Sequence, residues 1–283
     1  MKQRIVTGDR LKGMAQGNKK GMNSKSISLF CLLLTLFCAT TAFGAGRPEI
    51  LVQAGHSRSI SSLVFTPDGK YLASGGQDNR ARIWDVASGR QVRTSTTGFT
   101  DAFSWILSLA FSPDGRKLAA GGFTSDIMIW DAKTGRDVKA IPVGGKYLSS
   151  ATSITFSPDG SRIAAASILS EGNDVHRHII QLFDAKTGNR IRIIGEQTEQ
   201  FASVAFSPDG KYLAAGTGVY GAAVSDAAVR LWDVKSGKEL QRFTGQAGGI
   251  LRVAFSPAGQ YLASAGKDGR IVLWGMRQKR QDG

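Results

Sequence analysis

Short apolar and polar runs alternate along most of this chain, and the same succession of runs returns five times. In each return an apolar run ends on Phe or begins just after a polar corner. The corners are Phe65-Thr66-Pro67-Asp68-Gly69, Phe111-Ser112-Pro113-Asp114-Gly115, Phe156-Ser157-Pro158-Asp159-Gly160, Phe206-Ser207-Pro208-Asp209-Gly210 and Phe255-Ser256-Pro257-Ala258-Gly259. From Phe to Phe the spacings are 46, 45, 50 and 49 residues, a period that marks a repeat architecture. Pro presets φ for a turn, Asp bonds its own backbone, and Gly accepts a positive φ, so each corner predicts a hairpin between two strands. In the first repeat the strands read Ile60–Phe65, Tyr71–Gly76, Ala81–Asp85 and, after a turn through Ser88-Gly89, Gln91–Thr94. Regular short strands with Gly-rich turns predict an all-β chain. One such unit is too small to bury a core alone, so the units must stack.

The third strand of each repeat ends in a recurring pair: Trp84-Asp85, Trp130-Asp131 and Trp232-Asp233, with Phe183-Asp184 and Trp274-Gly275 as degenerate copies. With the corners and the turns Thr134-Gly135, Thr187-Gly188 and Ser236-Gly237, these pairs make the chain resemble the WD40-repeat family from about Ile50 to Trp274. The resemblance implies a β-propeller of four-stranded blades around a central channel. It also implies a structural hydrogen-bond network of His, Ser, Asp and Trp within a blade. Repeat one has every member, His56, Ser74, Asp78 and Trp84. Repeat five keeps Ser264, Asp268 and Trp274, with Gln246 where His would align; repeat four keeps Asp226 and Trp232 but has Ala215 for Ser. Repeats two and three carry Ala120 and Ala165 at the Ser position. These residues are expected to be architecture, not a catalytic His-Asp-Ser set.

Fourth strands are expected near Gln91–Thr94, Asp137–Ile141, Arg190–Ile194 and Glu239–Phe243, but repeat five runs into a polar tail, 276–283. Ile50–Gln53, conversely, precedes repeat one without a blade of its own. The fold class expected is therefore all-β, a WD40-like β-propeller over 48–275, with five four-stranded blades closed by the N-terminal strand Ile50–Gln53. An open arc that forms a homo-oligomer, and a piece of a longer array, are the alternatives to a closed ring.

The N-terminus changes the picture. Lys25, the apolar run Leu29–Phe37 and the small residues Ala39–Ala42 read as a secretory signal peptide over 22–44, cut after Ala42 or Gly44. Translation is then expected to start at Met22, with 1–21 an overcalled extension and no membrane span left after cleavage. The expected location is periplasmic or secreted. Both cysteines, Cys31 and Cys38, lie in that run, so the repeats have no thiol chemistry or disulfide framework. Part of the net charge of +14 also lies here: residues 1–45 hold seven Lys and Arg against one acid, which leaves +8 for the repeats. The remaining basic residues are scattered through turns, which excludes a nucleic-acid footprint.

Departures from the minimal repeat locate the expected function. From corner Gly to Trp or Phe takes 15 residues in repeats one, two and five, but 23 in repeat three and 22 in repeat four. The segments leading into repeats two and three are also longer. These insertions bring Phe99, Phe103, Trp105, Tyr147, His176, His178 and Tyr220 to the face opposite the corners, as candidate partner-binding residues. His176 and His178 share one side of a strand, yet only three His exist and no third ligand has metal-site spacing. No nucleophile elbow, phosphate-binding Gly loop or metal cluster is present, so no cofactor is expected. The expected function is an exported, non-enzymatic scaffold for a protein partner. The alternative is an exported propeller hydrolase, or a small-ligand or metal-binding protein, with its site over the channel.

Overall fold

The computed structural model describes residues 4–6, 55–95, 105–144, 149–170, 176–197, 199–218 and 227–276. Every described strand belongs to one of five four-stranded antiparallel sheets, so the chain is a five-bladed β-propeller of the WD40 type. Blade one is β2 (Ile60–Phe65), β3 (Tyr71–Gly76), β4 (Ala81–Asp85) and β5 (Gln91–Thr94). Blade two is β6 (Ile106–Phe111), β7 (Lys117–Gly122), β8 (Asp126–Asp131) and β9 (Asp137–Pro142). Blade three is β10 (Ser150–Phe156), β11 (Arg162–Ser170), β12 (His176–Asp184) and β13 (Arg190–Gln197). Blade four is β14 (Phe201–Phe206), β15 (Tyr212–Thr217), β16 (Val229–Asp233) and β17 (Glu239–Phe243). Blade five has β18 (Ile250–Phe255), β19 (Tyr261–Gly266) and β20 (Ile271–Gly275) in sequence. Its fourth strand comes from the N-terminus: β1 (Arg4–Val6) pairs antiparallel with β20, Ile5 opposite Val272. The expected closing strand, Ile50–Gln53, lies outside the described residues, and its place at the edge of blade five is held by β1. Among the described residues no helix is long and apolar enough to cross a membrane.

The corners form as the residues dictate. In blade two, Ser112 Oγ donates to Asp114 Oδ1 at 2.5 Å, and the same carboxylate oxygen accepts from Arg116 N at 3.0 Å. Lys117 N donates to Ser112 Oγ at 2.9 Å, and Gly115 takes φ of 68°, where a side chain would be strained. Asp of the Trp-Asp pair does a similar job at the next turn. Asp131 Oδ1 accepts from Thr134 N and Oγ1 at 2.7 and 2.8 Å, and Asp85, Asp184 and Asp233 repeat the arrangement. Blade five has Gly275 in place of this Asp.

The core lies between blades, in four clusters, one for each seam from blade one to blade five. The front of each blade, facing its successor, offers small and aliphatic side chains such as Ala73, Ala81 and Ile83. The back of the next receives them with Ile106, Leu109, Phe111 and Trp130. Full burial of one such Leu or Phe contributes about 1.5–3 kcal/mol. A hydrogen bond repeats across each seam. Leu109 N, Ile154 N, Val204 N and Val253 N donate to Ser62, Ser108, Ser153 and Ser203 Oγ of the preceding blade, at 3.0, 3.0, 3.1 and 3.2 Å. The corners stack in the same order. A Cβ on Gly115, Gly160, Gly210 or Gly259 would lie 3.4–3.5 Å from the Pro of the blade before.

The corner carboxylates carry a pH signature. Side-chain donation from Ser157, then the Ser161 backbone and hydroxyl, hold Asp159 down to about 2. A carboxylate depressed in the folded state stabilises it fully above its unfolded value and ceases to do so as pH falls toward the folded value. Melting temperature is therefore expected to drop as pH goes from about 4 to about 2, and Asp159→Ala should flatten that drop. In blade five Ala258 leaves the bonds from Ser256 Oγ and Gln260 N unmade. Ala258→Asp is expected to add up to about 1 kcal/mol, or about 2–4 °C in a melting curve; no gain would contradict the corner mechanism.

Candidate functional site

The connections between blades, and the turns from second to third strands, emerge at the end of the sheets opposite the corners. There the first strand of every blade carries the same irregularity, a register shift after Ile60, Ile106, Ala151, Phe201 and Ile250. The extra residue turns toward the channel or the neighbouring blade. Ser61 Oγ bonds Ile106 O, and Thr152 Oγ1 donates to Phe201 O at 3.0 Å. Bulges of this kind re-aim side chains at rims.

At this end the channel opens into a cavity of about 700 Å³ reached by all five blades. Blade one contributes Ser61 and Gln77, blade two Trp105 and Phe123, and blade three Thr152 and Ile168. Blades four and five add Gln200, Ala202 and Arg252. The aromatic pair is built by a close backbone approach: Phe123 N donates to Trp105 O at 3.0 Å. A Cβ on Gly122 would collide with that same oxygen, so only glycine fits between them. The two rings pack edge to face, centroids 5.8 Å apart at 69°, and Phe123 remains 47% exposed.

Of the candidate partner-binding residues, Trp105 therefore lies at the channel mouth. His176 and His178 lie on β12, opposite Ser170 and Ile168 of β11, and Ile168 is itself part of the mouth. Burial, and then the neighbouring His176, push the His178 imidazole below its ordinary value, while Glu199 pulls it the other way. Among the described residues no group of three His, Cys, Asp or Glu is placed to hold a metal ion. Phe99, Phe103, Tyr147 and Tyr220 lie outside the described residues. Phe123 was absent from the sequence candidates because it sits in a turn of minimal length; the signal available was the Gly121-Gly122 pair before it.

The blade-one network is intact and enclosed. Trp84 Nε1 donates to Ser74 Oγ at 2.8 Å, Ser74 Oγ lies 2.7 Å from His56 Nε2, and His56 Nδ1 lies 2.8 Å from Asp78 Oδ1. A carboxylate only accepts, so Nδ1 carries the proton. Asp78 Oδ2 also accepts from Ser57 N and Arg82 Nη2, at 3.2 and 3.3 Å. Burial opposes ionisation of Asp78, but the bond from His56 and the donors from Ser57 and Arg82 outweigh it, and the carboxyl stays below its usual range. The His56 and Asp78 side chains are only 2% and 4% exposed, which leaves no approach for a substrate. In blade five Gln246 takes the His position: Ser264 Oγ donates to its Oε1 at 2.5 Å and accepts from Trp274 Nε1 at 2.9 Å. Asp268 Oδ2 accepts from Ala247 N at 3.0 Å. In blade four Ala215 makes no such bond, and Trp232 instead packs edge to face on Phe201 at 5.8 Å; Asp226 lies outside the described residues. Ser74→Ala leaves Trp84 Nε1 and His56 Nε2 without their partner. It is expected to cost about 1–3 kcal/mol in denaturant unfolding, and an unchanged midpoint would contradict the network's structural role.

Comparison with known proteins agrees with this architecture. The WD40 family, WD domain, G-beta repeat, matches residues 48–85, 91–131, 188–233 and 237–275. The interval 132–187, which holds most of blade three and the degenerate Phe183-Asp184, falls between matches. Among curated proteins, the ribosome biogenesis protein BOP1 homolog of Drosophila virilis is 43% identical over 49 residues, 17% of this chain and 6% of the relative. That of Drosophila willistoni is 41% identical over the same span. The match thus covers a small part of those proteins. Among solved structures, that of U3-55K superposes with a TM-score of 0.64 at 21% identity, over 80% of this chain and 64% of that one. Kuenenia stuttgartiensis hydrazine synthase gives 0.61 at 21%, over 76% and 58%; both likenesses concern the fold.

The expectation of export to the periplasm or the medium is contradicted by relatives named for ribosome biogenesis, and it is withdrawn. A nine-residue apolar run behind Lys19, Lys20 and Lys25 has the pattern of an export signal, but the pattern alone does not establish a destination. Cleavage after Ala42 or Gly44 would, moreover, remove β1, the outer strand of blade five. Four family matches over more than half of the sequence and five four-stranded blades lead to one conclusion: this chain belongs to the WD40 family of WD-domain, G-beta repeat proteins.

Proposed function

We propose that this chain is a non-enzymatic scaffold that binds a protein partner at the channel mouth, on the face opposite the corners. The observation that carries the reading is the Trp105–Phe123 pair, clasped over Gly122 beside a cavity that all five blades line. Large rigid aromatics at the centre of a concave site are the anchors that dominate protein interfaces. Each sits one residue beyond a strand end, Trp105 before β6 and Phe123 after β7, and the two are tied by a backbone hydrogen bond, so little ordering entropy is lost on binding. The relatives named for ribosome biogenesis suggest an assembly role, which fits a scaffold.

The reading of a hydrolase over the channel has less in its favour. General acid–base work needs paired carboxylates or a His at the mouth, whereas the described lining has Arg252 as its charged side chain. The turn aspartates Asp85 and Asp131 lie below their usual range through local hydrogen bonds, headed in Asp85 by Ser88 and in Asp131 by Thr134, and serve turns.

Affinity capture with the full chain tests the proposal. A stoichiometric protein recovered with the wild type is expected to be lost, by at least about tenfold in affinity, with Trp105→Ala/Phe123→Ala, since hot-spot truncations cost about 2 kcal/mol or more. Capture should be unchanged with Tyr71→Ala near the corner face. Equal retention by all three proteins would overturn the choice of face.

A further inference from the structure

The seam between blade five and blade one differs from the other four. At the position where Leu109, Ile154, Val204 and Val253 are 5–7% exposed, blade one has Leu63 at 62%. Phe65 and Ile60 are 58% and 53% exposed, against 7–9% for Phe111, Phe156 and Phe206, and 0–1% for Ile106, Ala151, Phe201 and Ile250. The front of blade five is bare at the matching place: Ile271 is 54% exposed, where Ala81, Ile127, Ile180 and Val229 are 0–2%. No atom lies within 4 Å of the Cβ position at Gly69, although the other four corner glycines each meet a Pro. Finally, Arg252 stands where Ser62, Ser108, Ser153 and Ser203 accept the bond across the seam, and its Nη1 donates back to Leu251 O at 2.9 Å.

The chain therefore exposes both halves of an interface that it builds four times internally: a receiving back on blade one and a covering front on blade five. We infer that the chain associates with a second copy of itself, head to tail, the front of blade five in one copy seating on the back of blade one in the next. A second copy carries the complementary half, the same apolar front and back that meet at the internal seams. An exposed apolar patch of this kind marks an interaction surface, and unlike halves make the contact heterologous. Arg252 cannot accept the Leu63 N–H, so the contact between copies has one hydrogen bond fewer than an internal seam. It is weaker than an internal seam for that reason.

Sedimentation of the full chain from low to high micromolar concentration tests this. The weight-average mass is expected to rise with concentration. Leu63→Arg, which spoils the back of blade one, and Ile271→Arg, which spoils the front of blade five, should each give monomers. An equimolar mixture of the two variants retains one good back and one good front, and should form one-to-one dimers and nothing larger. Arg252→Ser restores the acceptor and should tighten association about three- to tenfold. All three positions are exposed, so unchanged far-ultraviolet dichroism and melting show that the variants fold. A wild type that stays monomeric throughout overturns the inference, whatever else covers the seam. So does a mixture of the two variants that remains monomeric, or a single variant that associates as the wild type does.

Discussion

A four-stranded sheet buries almost nothing by itself, and every other feature of this protein depends on how one sheet covers the next. The seam is a lock with two unlike sides. Small and aliphatic residues on a blade's front, such as Ala164, Ala166 and Ile180, leave room for the larger Phe201, Phe206 and Trp232 on the back of its successor. The serine-to-backbone bond fixes the sliding register between blades, because it satisfies an amide that burial would otherwise leave costly. Corners and turns are subordinate: Pro-Asp-Gly and Asp-x-x-Thr turns set where each strand begins and ends, so that the right residues meet at the seam.

This division of labour frees the opposite face. Because stability resides in seams and turns, the connections at the channel mouth can vary in length without loosening the sheets, and repeats three and four have used that freedom. The intra-blade network follows the same economy. Where His56, Ser74, Asp78 and Trp84 are all present, each polar group finds a partner; in blade four, with Ala215 at the Ser position, the Trp packs on an aromatic instead. Blade five shows an intermediate solution, since Gln246 supplies an acceptor for Ser264 and a donor for Arg270 O.

The five blades, their strands and the blade-one network were legible in the sequence, because each rests on local chemistry that repeats: a turn residue with a fixed φ, a carboxylate two or three residues from its donor. The closing strand was not. Arg4-Ile5-Val6 is only three residues long, and its partner strand is about 270 residues away, so nothing local announces the pairing. The bare seam was hidden for the opposite reason. Ile60, Leu63 and Phe65 follow the buried pattern of their counterparts, and a pattern records what a face is suited to cover, not whether it is covered. Arg252 in a column of serines was the one visible departure. The export reading failed because hydrophobicity over a short run carries little information about destination.

The central claim is that seams hold the fold and that four of them are made within one chain. Amide hydrogen exchange at the seam position measures this directly, at a concentration where the chain is monomeric. The amides of Leu109, Ile154, Val204 and Val253, each bonded to a serine of the preceding blade, should exchange only on opening of the blades, while the Leu63 amide exchanges orders of magnitude faster. Equal protection at all five positions would contradict the account.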